Sequence, residues 1–137
     1  MRVVIVENNA QNLNELTDII KTIEPNSIVK GFVNGNEAIE WCNDNAFCID
    51  LFIGNWWGID EEYNSPEGAN VFNLVKWFKK PKKILVADDQ MFEQWAYNEG
   101  AIGFIKRPVT MDKVKSILKK YKVQPNYSRG RSLNLYG

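Results

Sequence analysis

The hydrophobic residues of this chain fall into short runs separated by longer amphipathic segments. Residues 3–6 are a run of β-branched side chains that is apolar on both sides, which is typical of a central parallel strand. The next segment, NNAQNLNELTDIIKTIEP, has leucines and isoleucines at helical spacing and ends at Pro25. The same alternation predicts four more strands, in the segments SIVKGFV, CIDLFIG, KKILVA and GFIKR.

Four more helices are predicted between and after these strands, in the segments NGNEAIEWCNDN, GANVFNLVKWFKK, QMFEQWAYNEG and TMDKVKSILKKY. The last of them begins at Thr110, which is a good N-cap residue. Its predicted buried side consists of Met111, Val114, Ile117 and Leu118. Five strands alternating with five helices predict an α/β fold, a doubly wound parallel sheet with helices on both faces.

One domain is predicted over residues 1–121, followed by a tail over residues 122–137 that we expect to be extended or mobile. A chain of 137 residues can bury a sizeable core without metal or disulfides. No apolar run approaches the roughly 20 residues that span a bilayer, and the N-terminus lacks the anatomy of a signal peptide. Cys42 and Cys48 fit no metal spacing and predict reduced thiols. We therefore expect a cytoplasmic protein without membrane contact.

The net charge of zero conceals a strong asymmetry along the chain. Residues 1–70 contain three basic and twelve acidic residues, which is a net charge of −9. Residues 71–137 contain fourteen basic and five acidic residues, which is a net charge of +9. Such polarity favours acidic partners on one face or self-association.

Ligands of a doubly wound sheet bind beyond the carboxyl ends of the strands, where the strand order reverses. The residues at these ends therefore define the candidate site. They are Glu7, Asn8 and Asn9 after the first strand; Asn55, Trp56 and Trp57 after the third; Ala87 and Asp88 after the fourth; and Lys106, Arg107 and Pro108 after the fifth.

Four segments of the chain resemble the receiver domain of response regulators. VVIVEN is similar to the family's first strand with its acidic pair, NGNEAIEW to its second helix, and IDLFIGN to the strand that delivers the phospho-acceptor aspartate. NEGAIGFIKRPV is similar to the family's xAGAxxYLxKP, which is the most specific of the four matches. The resemblance covers residues 2–121. It implies a flavodoxin-like (βα)5 fold whose parallel sheet has the order 2-1-3-4-5.

In that family an aspartate after the third strand accepts a phosphoryl group, and an acidic pair after the first strand helps to hold Mg²⁺. A hydroxyl side chain after the fourth strand and a lysine before the fifth-strand proline bind the phosphoryl oxygens. The resemblance places Asn55 at the acceptor position, Glu7 and Asn8 at the acidic pair, Ala87 at the hydroxyl, Arg107 at the lysine and Phe104 at the aromatic switch position.

Asn55 decides the predicted chemistry of this site. An amide nitrogen has no nucleophilic lone pair comparable to that of a carboxylate, so no acyl phosphate can form there. With Asn8 neutral as well, the pocket holds too few carboxylates for a hard divalent cation. Ala87 lacks the hydroxyl that would report phosphorylation. We therefore predict a degenerate site that has no catalytic residue, metal or cofactor, in a protein that is not an enzyme.

Other carboxylates lie close to these positions in the sequence. Asp88 and Asp89 follow the fourth strand, and three more acids, at 60–62, lie on an insertion before the third helix. Solvated loop charges are the plainer interpretation of both sets. Asp88 is the candidate for metal binding, and Asp50 is predicted at the opposite end of the sheet.

Two further features of the site leave alternatives open. Trp56 and Trp57 could pack over the vacated pocket, anchor a partner or stack on an aromatic ligand. Arg107 could point into the pocket and pair with Glu7 or with Asp88, and such an ion pair would lock a state that phosphorylation otherwise controls.

The resemblance implies a stand-alone pseudo-receiver, an atypical response regulator of two-component signalling. It would act in signal transduction by phosphorylation-independent binding of a protein partner. Receivers signal through the face made by the fourth helix, fifth strand and fifth helix, which could also mediate a homodimer. Here that face would present Met91, Trp95, Tyr97, Lys106 and Lys113.

Binding of nucleic acid or another polyanion is the alternative function. KWFKKPKK, KVKSILKKYK and SRGR are basic segments, the first two with interleaved aromatic residues. Lysines at helix ends are, however, favoured by the helix dipole and usually solvated, so this alternative is the weaker one. A flavin or nucleotide site is weaker still, because the loop ENNAQN lacks a Ser/Thr or Gly-rich phosphate cradle.

Overall fold

The computed structural model describes residues 1–45, 49–55 and 82–121. The strands of this part are β1 (Arg2–Val6), β2 (Ile28–Phe32), β3 (Leu51–Gly54), β4 (Lys82–Ala87) and β5 (Gly103–Lys106). Its α-helices are α1 (Ala10–Ile23), α2 (Gly35–Asn45), α3 (Glu93–Asn98) and α4 (Met111–Lys120), and a 3-10 turn over Gln90–Phe92 precedes α3.

Labels count the described helices, so α3 and α4 are the fourth and fifth helices that the sequence predicts. The predicted third helix, the acids at 60–62, Trp56 and Trp57, and the tail over residues 122–137 lie outside the described residues.

The five strands form one parallel sheet in the order β2-β1-β3-β4-β5, which confirms the predicted fold class. All residues of β3 are buried, as are five of the six residues of β4. A strand that helices cover on both faces has no solvent side, which explains why these segments are apolar runs rather than alternating ones.

Two hydrophobic layers cover the two faces of the sheet. On one face, Leu16 and Ile20 of α1 and Val114 and Leu118 of α4 pack against the odd-numbered residues of β1, such as Ile5. On the other face, Ala38 and Cys42 of α2 and Ala96 of α3 pack against Val4, Val6 and Phe52. The helices α1 and α4 therefore lie on one side of the sheet, and α2 and α3 on the other.

The helix ends follow the sequence signals. Asn9 caps α1, because its side-chain oxygen accepts a hydrogen bond from the Asn12 amide at 3.0 Å. Thr110 caps α4 in the same way through the Lys113 amide at 3.3 Å. The prediction that Met111 lies on the buried side of α4 is wrong: its side chain is 38% exposed. It is the first residue of α4, next to the exposed Thr110 and Asp112, whereas the buried residues of the helix are Val114 and Leu118.

The described residues can be compared with two expectations from the sequence, that no segment spans a membrane and that Cys42 is a reduced thiol. Within the described ranges, no helix has both the length and the apolar character needed to cross a bilayer. The Cys42 side chain is buried in the α2 layer, and this burial raises the pKa of its thiol to about 12. Because the thiolate is the reactive species, Cys42 is an inert packing residue at neutral pH.

Candidate functional site

The backbone register brings the ends of four strands to one edge of the sheet. The Asn55 amide donates to the Val6 carbonyl at 2.8 Å, which places the residue after β3 beside the end of β1. The Arg107 amide donates to the Ala87 carbonyl at 2.9 Å, which aligns the end of β5 with the end of β4. The site predicted from the sequence is therefore assembled at the carboxyl edge of a parallel sheet.

A buried ion pair occupies this crevice. One guanidinium nitrogen of Arg107, Nη2, lies 2.6 Å from Oε1 and 2.5 Å from Oε2 of Glu7. The Glu7 side chain is completely buried, and the Arg107 side chain is 17% exposed. The second guanidinium nitrogen, Nη1, lies 3.2 Å from Oδ1 of Asp88, which is 82% exposed. Arg107 therefore contacts both of the carboxylates between which the sequence left the choice open.

The electrostatics of Glu7 reflect competing effects. Burial raises the pKa of its carboxyl above the ordinary value, and the nearby charge of Asp88 also raises it. The charge and hydrogen bonds of Arg107 lower the pKa, but they offset the burial only in part. The arginine therefore keeps a carboxylate in the core that would otherwise prefer to be neutral.

The other positions that the resemblance assigns to the site are neutral residues. Ala87 is buried, Asn55 and Phe104 are partly buried, and Asn8 is exposed. Asn9 is used as the cap of α1. The acceptor position, Asn55, is therefore neutral. The charged groups of the crevice are those of Arg107 and Glu7.

Two other acidic candidates within the described residues, Asp50 and Asp89, accept hydrogen bonds from backbone amides. Asp89 caps the 3-10 turn, because its side chain accepts a hydrogen bond from the Met91 amide at 2.9 Å. Asp50 lies at the opposite end of the sheet, as predicted, and accepts from the Arg2 amide at 2.8 Å. In the described part of the chain there is no group of three or more His, Cys, Asp or Glu residues that could hold a metal ion. The donor set that Mg²⁺ prefers is therefore not found among these residues.

A cleft opens beside the ion pair on the α1 side of the sheet. Its volume is about 320 Å³, and its lining includes Glu7, Arg107, Asn12 and Glu15. Its charged groups are two carboxylates and one guanidinium, and Arg107 already pairs with Glu7. Only the arginine of the ion pair is partly accessible there, since Glu7 itself is completely buried.

The predicted partner face contains a wider groove of about 480 Å³ between β5 and α4, lined by Phe104, Lys106, Lys113 and Ile117 among others. The Lys113 ammonium donates to the carbonyls of Lys106, at 3.2 Å, and Pro108, at 2.9 Å, so this lysine also ties the loop after β5 to α4.

The aromatic and thioether side chains of this face differ in exposure. Met91 is 72% exposed and Tyr97 is also exposed. Trp95 is partly buried and packs against the layer that contains Ala96. Met91 and Tyr97 are therefore the exposed apolar side chains among the five residues predicted for this face.

One residue of the site was not singled out from the sequence. Gly54 has a φ of 133° and lies so close to β1 that a Cβ atom there would be 2.2 Å from the Val6 carbonyl oxygen. This approach carries Asn55 to the end of β1. A glycine directly before the candidate acceptor position is the signal that could have revealed it.

Solved receiver domains share this fold. The CheX–CheY–BeF₃–Mg²⁺ complex from Borrelia burgdorferi contains a chain with a TM-score of 0.72 and 20% identity, with 90% of each chain covered. A response regulator receiver domain protein from Clostridium thermocellum has a TM-score of 0.68 and 14% identity, over 88% of this chain and 96% of that chain. CheY4 from Vibrio cholerae has a TM-score of 0.67 and 14% identity, over 90% and 98%.

No protein-family model matches the sequence, and no curated protein matches it. The likeness to solved structures establishes the fold: this chain has the flavodoxin-like architecture of response-regulator receiver domains. The resemblance noted in four sequence segments therefore extends to the whole sheet.

Proposed function

We propose that this chain is a pseudo-receiver, a signalling module of the response-regulator type that accepts no phosphoryl group and works by binding a protein. The observation that carries the proposal is the contact of Arg107 with the buried carboxylate of Glu7 at 2.5 Å. In a phosphorylatable receiver that acidic position helps to hold Mg²⁺; here the carboxylate is neutralised from within the chain.

Two features of the site, the amide at Asn55 and the ion pair at Glu7, both argue against phosphorylation. The amide of Asn55 cannot form an acyl phosphate. A dication placed near Glu7 would have to displace a guanidinium that already satisfies both carboxylate oxygens. Asn55 removes the acceptor, and the ion pair of Arg107 with Glu7 removes the place for the metal charge that would neutralise the transferring oxygens, so restoring the acceptor alone would not restore the chemistry.

The proposed output is the surface made by α3, β5 and α4, defined by Met91, Tyr97, Lys106 and Lys113. It combines exposed apolar side chains with lysines around a groove. Such a surface suits an acidic or amphipathic protein segment, because its cations can pair with carboxylates while the apolar groups are buried. The CheX–CheY complex shows a protein of this fold bound to another protein.

Phosphorylation in solution tests the proposal. After incubation of the full chain with Mg²⁺ and acetyl phosphate, we expect intact-mass spectrometry to show no species heavier by one phosphoryl group. Asn55→Asp alone should also stay unlabelled, because Arg107 still occupies Glu7. The matched positive control is a variant with Asn55→Asp, Asn8→Asp, Ala87→Thr and Arg107→Lys, which restores each group of the family's chemistry and should become labelled. Labelling of the unmodified chain within the crevice would contradict the proposal.

Polyanion binding is retained as the second candidate because the described lysines of α4, among them Lys115, Lys119 and Lys120, are exposed. If they are ordinary solvated charges, the chain should elute from a heparin column below about 0.15 M salt, the physiological ionic strength. Retention well above that salt concentration, with affinity falling steeply as salt rises, would favour the polyanion function instead.

A further inference from the structure

The strand β2 is an edge of the sheet, and its outer side is open. Among the described strands it has a neighbour, β1, on one side only. The Ile28 amide donates to the Met1 carbonyl at 2.8 Å, so the peptide groups of Ile28 face β1. Because backbone groups alternate between the two sides of a strand, those of Val29 and Gly31 face outward. These outward N–H and C=O groups are available to an added strand.

A groove of about 230 Å³ lies beside this open strand, on the face of the sheet that α2 covers. Most of the residues that line it are apolar, among them Ile28, Trp41 and Ile49. Ile28 is 60% exposed although it belongs to a strand, so it presents uncovered apolar area. The Trp41 ring packs near Phe32, with 6.0 Å between the ring centroids. We call the open side of β2 together with this groove the β2 edge.

The charged residues that line the groove are both cations. They are Arg2 of β1 and Lys30 of β2, and both are exposed. Within the described ranges neither forms a salt bridge, and no carboxylate lines the groove. Arg2 is the register partner of Ile28, and Lys30 follows Ile28 at the next position on the same face of β2. A chain that runs beside β2 would therefore contact apolar and cationic side chains on one face.

The charge of the groove determines which kind of segment fits it. Pairing of two identical β2 edges would bring the cations of both copies together, and lysine on an edge strand commonly protects proteins against such pairing. The tail over residues 122–137 contains basic residues and no Asp or Glu, so it does not supply acidic side chains either. An acidic segment of another protein provides the anions that Arg2 and Lys30 lack, because opposite charges across an interface favour the matching partner and disfavour others.

We propose that the β2 edge binds an extended acidic segment of a partner protein, which joins the sheet as an additional strand. The backbone of the segment pairs with the outward groups of Val29 and Gly31. On the groove face, an apolar side chain of the segment packs against Trp41 and its carboxylates pair with Arg2 and Lys30. The order of strands puts β2 and β5 at opposite edges, so this surface is separate from the one proposed for α3, β5 and α4. It does not depend on the phosphorylation chemistry of the crevice.

Selection from a displayed library of random short peptides tests the proposal. The library is first depleted on the variant Arg2→Gln/Lys30→Gln and then selected on the unmodified full chain, so that peptides held by the lysines of α4 are discarded. We expect the surviving peptides to carry Asp or Glu separated by one residue from an apolar residue, since alternate side chains of a strand share a face. The absence of surviving peptides, or survivors without carboxylates, would overturn the proposal.

A synthetic peptide from this selection should bind more weakly when the charges are removed from either side. Arg2→Gln/Lys30→Gln removes two ion pairs and should raise the Kd of the peptide roughly tenfold, as should replacing the acids of the peptide by Gln. Both changes together should add little to either alone, because they remove the same pairs. Lys115→Gln/Lys119→Gln is the matched control, since it removes the same charge from exposed positions of α4 and should leave the Kd unchanged. Isothermal titration calorimetry measures these values.

Amide hydrogen exchange distinguishes an added strand from a purely electrostatic contact. With the peptide bound, the amides of Val29 and Gly31 should exchange more slowly, whereas the Ile28 amide, which is already bonded to Met1, should change little. Unchanged exchange at Val29 and Gly31 would overturn the added strand. Sedimentation of the chain without peptide covers the other occupant: a mass that rises with concentration, and no longer does so once both cations of the groove are replaced by Gln, would mean that a second copy binds the β2 edge and would also overturn the proposal.

Discussion

Replacing Arg107 by methionine should lower the free energy of unfolding by about 3 kcal/mol at pH 7.5. The substitution preserves apolar volume but leaves the completely buried carboxylate of Glu7 without its cation. The protein can then keep the buried charge or protonate it. From an ordinary pKa of 4.5, protonation at pH 7.5 costs about 4 kcal/mol, which sets the upper limit of the effect. Urea denaturation of the full chain, followed by circular dichroism, measures it.

The loss should depend on pH in a defined direction. The pKa of Glu7 is already raised in the folded protein, so its protonated form stabilises the fold below pH 4.5, and this stability is lost as the pH rises through the folded pKa. Without Arg107 the folded pKa rises further. The difference between the variant and the unmodified chain should therefore be small near pH 4.5 and grow by up to about 1.4 kcal/mol for each unit of pH above the folded pKa of the unmodified chain.

Two comparison variants make this result specific to the ion pair. Lys106→Met changes the exposed neighbour and should stay within about 0.5 kcal/mol of the unmodified chain. Adding Glu7→Gln to Arg107→Met removes both charges and should recover most of the stability together with its independence of pH. If Arg107→Met alone cost no more than Lys106→Met at pH 7.5, the contact with Glu7 would be no stronger than a surface salt bridge.

Gly54→Ala should lower the free energy of unfolding by at least about 3 kcal/mol. The residue has a φ of 133°, and a Cβ atom would lie 2.2 Å from the Val6 carbonyl oxygen. That carbonyl accepts the Asn55 amide hydrogen bond, so β1 and β3 would have to separate at the edge that forms the site. Urea denaturation measures the loss, and amide hydrogen exchange of Asn55 reports whether the separation is local.

Gly100→Ala is the matched control for this substitution. Gly100 also has a positive φ, of 94°, but the nearest atom to its Cβ position is the Lys83 Nζ at 3.3 Å, which donates a hydrogen bond to the Glu99 carbonyl and would have to shift only slightly. We expect it to lose only about 1 kcal/mol, mainly from the backbone conformation. Equal losses at the two glycines would mean that the close approach of β3 to β1 carries no energetic weight.

The order of the strands and helices and most of the core residues could be predicted from the sequence, because both follow from the spacing of apolar residues along the chain. Runs apolar on both sides mark β1, β3 and β4, since a strand covered on both faces keeps no polar positions. Apolar residues three and four apart mark the buried sides of α1 and α4, and the carboxyl ends of the strands then follow. Met111, which is 38% exposed, departs from this pattern, because period alone does not say whether the end of a helix is covered by the rest of the fold.

Part of the chemistry of the candidate site could also be predicted from the sequence. That Asn55 and Asn8 are neutral is a property of the residues themselves, and no fold can give an amide the nucleophilicity of a carboxylate. The partner of Arg107 was not determined in this way. Glu7 and Arg107 are 100 residues apart in the chain, and two carboxylates were within plausible reach.

Only the tertiary structure decided that Arg107 contacts both Glu7 and Asp88 and that Gly54 lies directly against Val6. Each of these depends on strand register and on the order β2-β1-β3-β4-β5, which set distances between residues remote in sequence. The local sequence pattern predicts which face of a strand or helix a side chain lies on. The alignment of the strands determines which other group that side chain contacts.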